Sequence, residues 1–261
     1  MRLIIIIVIH MFIPAFAYSS ISISPPFFEM KVVSNQLISK EIIITNTSNQ
    51  VKRIYFEISD FFLDEEGNPV YNSIEDDRFS CKDWISLQKR YVDVVGNSKE
   101  SLKITIAVPH SIHESRFAAI MVKCNGFEET ISTNFMVSNV LACPIIIQPK
   151  FISHPQISIL DSEIDNRAFW CILKNESNYY TRIKGLAYLY FDNKGIKKIY
   201  FTENWGLMFP QGSQRFLVFS IDNEDINFIK RVIIEINIKT NTHRLHRIRK
   251  TINTFKIMRE P

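Results

Sequence analysis

The chain predicts an all-β protein, two tandem immunoglobulin-like β-sandwich domains behind a cleaved signal peptide. Three observations carry that expectation. The first is internal duplication. Asn46, Ser48, Asn49, Arg53 and Ile54 recur 129 residues later as Asn175, Ser177, Asn178, Arg182 and Ile183, and the acidic turn at residues 64–67 is echoed at 192–195. Such an offset is too long for a solenoid repeat and suits one small domain. The second is strand chemistry. Each copy holds about seven short stretches rich in Ile, Phe and Tyr, separated by turn signals and without a sustained helical period. The third is the start of the chain. Arg2 supplies a positive charge, residues 3–16 are almost wholly apolar, and Ala15-Phe16-Ala17 fits the small-x-small cleavage pattern.

The apolar run is about fourteen residues, whereas a membrane span needs about twenty. Cleavage after Ala17 is therefore expected, with no transmembrane segment in what remains. No cysteine follows the cleavage point, so lipid attachment is not expected. The division is a signal peptide at 1–17, an N-terminal sandwich at 18–149 and a C-terminal sandwich at 150–261. The periplasm is the expected compartment, with secretion or the cell surface as the alternative. Hydrophobic residues make up 46% and charged residues 22%, the balance of a globular chain. The net charge of +4 is too mild to argue for nucleic acid.

The elements follow in order. Residues 27–33 are extended after Pro25-Pro26. Residues 41–45 form an apolar strand closed by Asn46-Thr47-Ser48-Asn49, whose side chains bond their own backbone in tight turns. Residues 54–62 form a strand ending at the acidic turn. Trp84, Ile85, Ser86 and Leu87 read as a short strand, and residues 91–95 as another. After Gly96-Asn97-Ser98, the apolar Leu102, Ile104, Ile106 and Val108 alternate with Lys103, Thr105 and Ala107, a half-buried strand by its period of two. Residues 117–123 form the next strand. Residues 131–147 form a long one, with Phe135, Val137, Leu141, Cys143, Ile145 and Ile147 on one parity, and Pro149 ends it.

The second copy repeats this order: strands at 168–173 and 183–191, a strand at 197–201, Trp205 in the place of Trp84, a strand at 216–221, and a closing hairpin of 232–238 with 245–257. Residues 111–115 and 222–228 each have room for one helical turn.

Chemistry-bearing constellations are sparse. Cys81, Cys124, Cys143 and Cys171 allow three disulfide pairings in an exported chain, and an inert buried thiol suits Cys124 and Cys171 equally. No two lie at zinc spacing, so no metal site is expected. No nucleophile elbow, phosphate loop or dinucleotide fingerprint appears, so neither an enzyme nor a cofactor is expected. His110, His113 and Glu114 read as turn residues, and Asp60, Asp64, Glu65 and Glu66 as a solvated acidic turn without calcium-loop spacing. The motif Asn-x-Ser reads as turn chemistry more economically than as a glycosylation site or a ligand site. The basic run His243, Arg244, His246, Arg247, Arg249 and Lys250 falls on a closing strand. It suits either an anionic surface or partner, or a charged edge that resists aggregation.

The first copy resembles the periplasmic pilus chaperones (PapD-like). An extended opening strand at 23–31 is followed by Ile44-Thr45-Asn46-Thr47-Ser48-Asn49. The turn at 94–102 precedes a strand, His113-Glu114-Ser115-Arg116-Phe117 leads the next, and the long strand within 134–149 ends in proline. The resemblance implies a noncatalytic protein that binds a pilin-like or other envelope client by β-strand pairing, in pilus or fimbria assembly. It makes Phe135, Val137, Leu141 and Ile145 the candidate partner-binding residues, with Arg244, Arg247, Arg249 and Lys250 as a separate basic patch. The family also implies an Arg on the first strand and a Lys near the end of the long strand, which hold a client carboxylate. Here the first strand carries Pro25, Pro26 and Phe27, and the long strand reads Leu141-Ala142-Cys143-Pro144-Ile145; Lys31 and Lys150 are the nearby substitutes. A structural module of a secreted or envelope assembly is the alternative function.

Overall fold

The fold is described from a computed structural model covering residues 20–71, 77–125, 138–152, 156–165, 168–191, 195–201, 207–220, 229–239 and 245–253. The expected signal peptide, Phe135, Val137, Trp205, Arg244 and residues 222–228 lie outside the described residues.

Eleven described strands precede residue 150: β1 (Ile21–Ser24), β2 (Phe28–Val32), β3 (Leu37–Asn46), β4 (Lys52–Ser59), β5 (Phe61–Leu63), β6 (Pro69–Tyr71), β7 (Ile85–Leu87), β8 (Tyr91–Val94), β9 (Ser98–Ala107), β10 (Arg116–Asn125) and β11 (Ser138–Pro149). They build a sheet in the order β1-β3-β9-β7 facing one in the order β2-β11-β10-β4-β8, while β5 and β6 form a separate hairpin. Lys82–Trp84 is a short 3-10 turn, so the strand expected from Trp84 starts one residue later at Ile85. Residues 111–115 contain no helical turn.

Alternation explains most of these strands. On β9, Leu102, Ile104 and Ile106 are fully buried while Lys103 is exposed; on β4, Ile54 and Phe56 are buried between exposed Arg53, Tyr55 and Glu57. The apolar sides meet in one core that also takes Ile42 and Ile44. Strands β10 and β11 do not alternate because both of their faces are covered. Ala118, Ile120, Val122, Cys143, Ile145 and Ile147 enter the sandwich core. Phe117, Ala119, Met121 and Ile146 point the other way, into a second cluster. A strand buried on both faces reads as a continuous apolar run.

Eight described strands follow: β12 (Ile157–Asp165), β13 (Ala168–Asn175), β14 (Thr181–Phe191), β15 (Gly195–Phe201), β16 (Leu207–Met208), β17 (Ser213–Ser220), β18 (Ile229–Lys239) and β19 (Leu245–Asn253). One sheet runs β12-β13-β17. The other runs β15-β14-β18-β19, with β16 also on β14. Among the described residues, strands before residue 150 pair only with one another, and so do those after residue 156.

The duplicated motif is duplicated in its bonds. Asn46 Nδ2 donates to the carbonyls of Gln50, Val94 and Val95 at 2.7, 3.0 and 3.3 Å. Its Oδ1 accepts from the Ser48 amide and hydroxyl at 3.0 and 2.7 Å. Asn175 Nδ2 donates to Tyr179, Met208 and Phe209 carbonyls at 2.7, 3.4 and 3.0 Å. Its Oδ1 accepts from the Ser177 amide and hydroxyl at 3.1 and 2.5 Å. Both asparagines are fully buried. Each stitches one turn to a second, where Asn97 and Gln211 stand at φ 55° and 57° and donate their amides to Ser48 and Ser177. A side-chain amide suits this place because it donates and accepts at once. The motif is a structural keystone in both copies.

Candidate functional site

The long strand β11 is covered along only part of one side. β11 pairs with β10 along its length, from Ser138 opposite Asn125 to Ile147 opposite Arg116. On its other side, β2 runs parallel to it only from Ile145 to Pro149, and the Lys150 amide extends the pairing to the Val32 carbonyl at 2.8 Å. Among the described residues, no strand pairs with residues 138–144 on that side. The chain leaves β11 there because residues 25–27 pass from β2 to β1 in the opposite sheet; the Pro25 carbonyl accepts the Cys143 thiol at 3.6 Å. A row of backbone groups without ladder partners is a template for another strand. Pro144, which has no amide hydrogen, is the first residue beyond the reach of β2.

The side chains of this strand divide by face. Ile145 is fully buried in the sandwich core, and half-buried Leu141 packs against it. Both therefore support β11 from beneath, and Ile145 does not project toward a partner as its parity alone would allow. Val140, on the opposite face, is exposed. Phe135 and Val137 precede this stretch, outside the described residues.

Behind the strand lies the joint between the two halves. Phe117 stacks on Phe209, ring centroids 3.9 Å apart, and Phe61 meets Phe209 edge-on at 5.5 Å. Phe79, Met121, Ile146, Tyr180 and Leu207 close the cluster. A rim of hydrogen bonds surrounds it, and Tyr180 is its centre. The Tyr180 amide donates to Ser115 Oγ at 3.0 Å, its carbonyl accepts from Gln148 Nε2 at 3.2 Å, and its hydroxyl donates to Glu29 Oε1 at 2.6 Å. Arg182 pairs with the other oxygen of Glu29. Partial burial opposes the charge on Glu29, but bonds from Arg182 and Tyr180 and the nearby charges of Arg182 and Lys31 outweigh it and hold the carboxyl below its ordinary value. Burial, reinforced by the Glu29 carboxylate, pushes the Tyr180 hydroxyl well above its usual range.

Nearby cations differ in their surroundings. Arg116 pairs with Glu114 at 3.0 Å and lies 5.5 Å from the Trp84 ring centroid. The Lys150 ammonium lies 5.8 Å from the ring centroid of Phe151, and Lys31 stands opposite Gln148 on β2. His113 bonds Ser111 at 2.6 Å, and Asp64 ties its own turn through the Asn68 amide at 2.7 Å, as turn residues do. Cys81, Cys124, Cys143 and Cys171 are all reduced and buried. Among the described residues, no three His, Cys, Asp or Glu side chains are placed to hold a metal, and no helix is long and apolar enough to cross a membrane.

The described part of the basic run, from His246 to Lys250, falls on β19, at the edge of its sheet among the described strands, where the register sets Arg247, Arg249 and Lys250 opposite Asn237, Glu235 and Ile234. Phe61, Phe117, Tyr180, Phe209 and Glu29 are the residues sequence reasoning missed. Only Phe117 carried a signal, as part of an apolar run too unbroken for a half-exposed strand.

No family model matches the sequence, and comparison with curated proteins finds no match. Solved structures do match. A chain of a chaperone–tip adhesin complex of CFA/I fimbriae biogenesis superposes with a TM-score of 0.50 at 13% identity, covering 89% of this chain and 98% of that one. The YadV chaperone superposes with a TM-score of 0.50 at 8% identity, covering 90% and 100%. The chain has the fold of the fimbrial chaperones, two immunoglobulin-like β-sandwiches in tandem.

Proposed function

We propose that this protein is a noncatalytic chaperone of the periplasm that receives an exposed strand of an exported client on the open edge of β11. The client is a pilin-like subunit or another β-rich envelope protein awaiting assembly. The observation that carries the proposal is the stretch at residues 138–144, which pairs with β10 on one side and, among the described residues, with no strand on the other. The fold shared with fimbrial chaperones supports it. Strand addition suits such an edge, because main-chain bonds supply affinity and alternate side chains supply selectivity.

The test uses the chain without residues 1–17 and a pilin-like subunit that aggregates on its own. The subunit stays soluble at a near-stoichiometric ratio, and Phe135→Asp or Val137→Asp abolishes the effect without changing the melting of the free protein. Protection that survives both substitutions refutes strand reception at this site.

A further inference from the structure

The edge of β11 ends abruptly, and the way it ends carries a second inference, resting on the proposal that β11 receives a strand. A strand laid along residues 138–144 runs into β2 at Phe28, which already stands opposite Ile145. We infer that β2 is a fixed stop that sets the register of the incoming strand, and that Tyr180 and Arg182 of the second half hold it in place through Glu29.

A five-residue parallel edge strand needs such a fastening. Parallel pairing is slightly weaker per residue than antiparallel pairing, and short edges open first. Phe28 and Val32 anchor β2 to the core from one face. Glu29, on the other face, is gripped by the Tyr180 hydroxyl and the Arg182 guanidinium. The Tyr180 carbonyl also accepts Gln148 of β11. Stop and receiving strand are thus tied to a single post, and their relative position cannot drift.

The chemistry at the stop defines what it measures. Ala142, Cys143, Pro144 and Ile145 are uncharged, and the cations around them are engaged by Glu29, Glu114 and the Phe151 ring. Among the described residues, the strand end is met by backbone and Phe28, and Arg182 and Arg116 already face Glu29 and Glu114. The client class is an apolar, alternating segment recognised by where it halts, and a terminal amide serves as well as a free acid.

The experiment has two arms on the chain without residues 1–17. Hydrogen exchange compares the wild type with Glu29→Ala and the gentler Tyr180→Phe. In Glu29→Ala, amides at 28–32 and 145–148 exchange about ten- to a hundred-fold faster, and β9 does not change. Tyr180→Phe shifts the same amides by a smaller factor. Unchanged exchange at β2 in both variants overturns the clamp, and Tyr180→Phe decides if Glu29→Ala unfolds globally.

In the second arm, a synthetic peptide of alternating valine and threonine carries a nitroxide at one end or the other. It is supplied as free acid and as amide. One label broadens the amides of Cys143 and Ile145 in the wild type, equally for acid and amide, and the broadening moves beyond Ile147 in Glu29→Ala. Broadening past Ile147 in the wild type, or a preference for the acid, overturns the stop. Absence of broadening with both labels refutes strand reception itself, while the exchange arm still rules on the clamp.

Discussion

Asn46→Ala removes five hydrogen bonds at one buried position, and their individual environments set the cost. The Val94 carbonyl is buried with its bond and has no water to replace the lost donor, so it carries an unsatisfied-group penalty of about 1–3 kcal/mol. The bonds to Gln50, Val95 and Ser48 lie nearer the surface, where water recovers part of each. Together the loss is about 3–4 kcal/mol, a large share of the stability of a domain of this size. Asn46→Asp is the sharper perturbation. It keeps the shape and both acceptor bonds but turns the donor into an oxygen facing three carbonyls, and it buries a charge without a partner. It should destabilise at least as much as alanine. Guanidinium unfolding followed by tryptophan fluorescence measures both, with Trp84 reporting on the first half. Asn46→Ala within about 0.5 kcal/mol of wild type, or Asn46→Asp milder than Asn46→Ala, would refute the keystone reasoning. Asn175→Ala should cost about as much and also loosen the joint, because its cage holds the turn that presents Tyr180. Faster exchange at β2 in Asn175→Ala, absent in Asn46→Ala, distinguishes the two copies.

Other outcomes follow from single features. A Cβ at Gly96 would lie 2.5 Å from the Asn49 carbonyl carbon, so Gly96→Ala should lower stability by about 1–3 kcal/mol; at Gly212 the nearest atom is 3.4 Å away, and Gly212→Ala should stay within about 1 kcal/mol by the same melts. Burial pushes the Cys143 thiol up to about 12 and raises Cys81 and Cys124 as well, so a thiol-reactive dye at about pH 8 should leave the native protein unlabelled and label all four cysteines after unfolding. Glu29 ionises more readily folded than unfolded, so its contribution to the joint is complete above the ordinary carboxylate range near about pH 4.3 and disappears as pH falls through the lower folded value. Wild-type stability should therefore drop more steeply in acid than that of Glu29→Gln, as denaturation midpoints across pH would record.

Much of the fold was legible in the residues. The alternation of Leu102, Ile104 and Ile106 located β9 and its buried face, because a pleated strand sends successive side chains to opposite sides. The Asn-x-Ser-Asn turns were legible because their bonds are local, within four residues. Ile145 shows where this way of reading stops. Its parity fits equally a side chain facing a partner and one facing a core, and only packing placed it in the core.

By itself, the sequence determined the strand-rich class, the duplication and the turns, all of which rest on contacts between residues close along the chain. Tertiary structure alone decided that β2 lies beside β11 and stops at Ile145, that four cysteines stay reduced, and that Glu29 meets Tyr180 and Arg182. Glu29 and Tyr180 are 151 positions apart, and no local period encodes such a meeting. It arises when two separately built sandwiches close over Phe117 and Phe209, so that the surfaces buried together, and not the pattern along either strand, choose the partners.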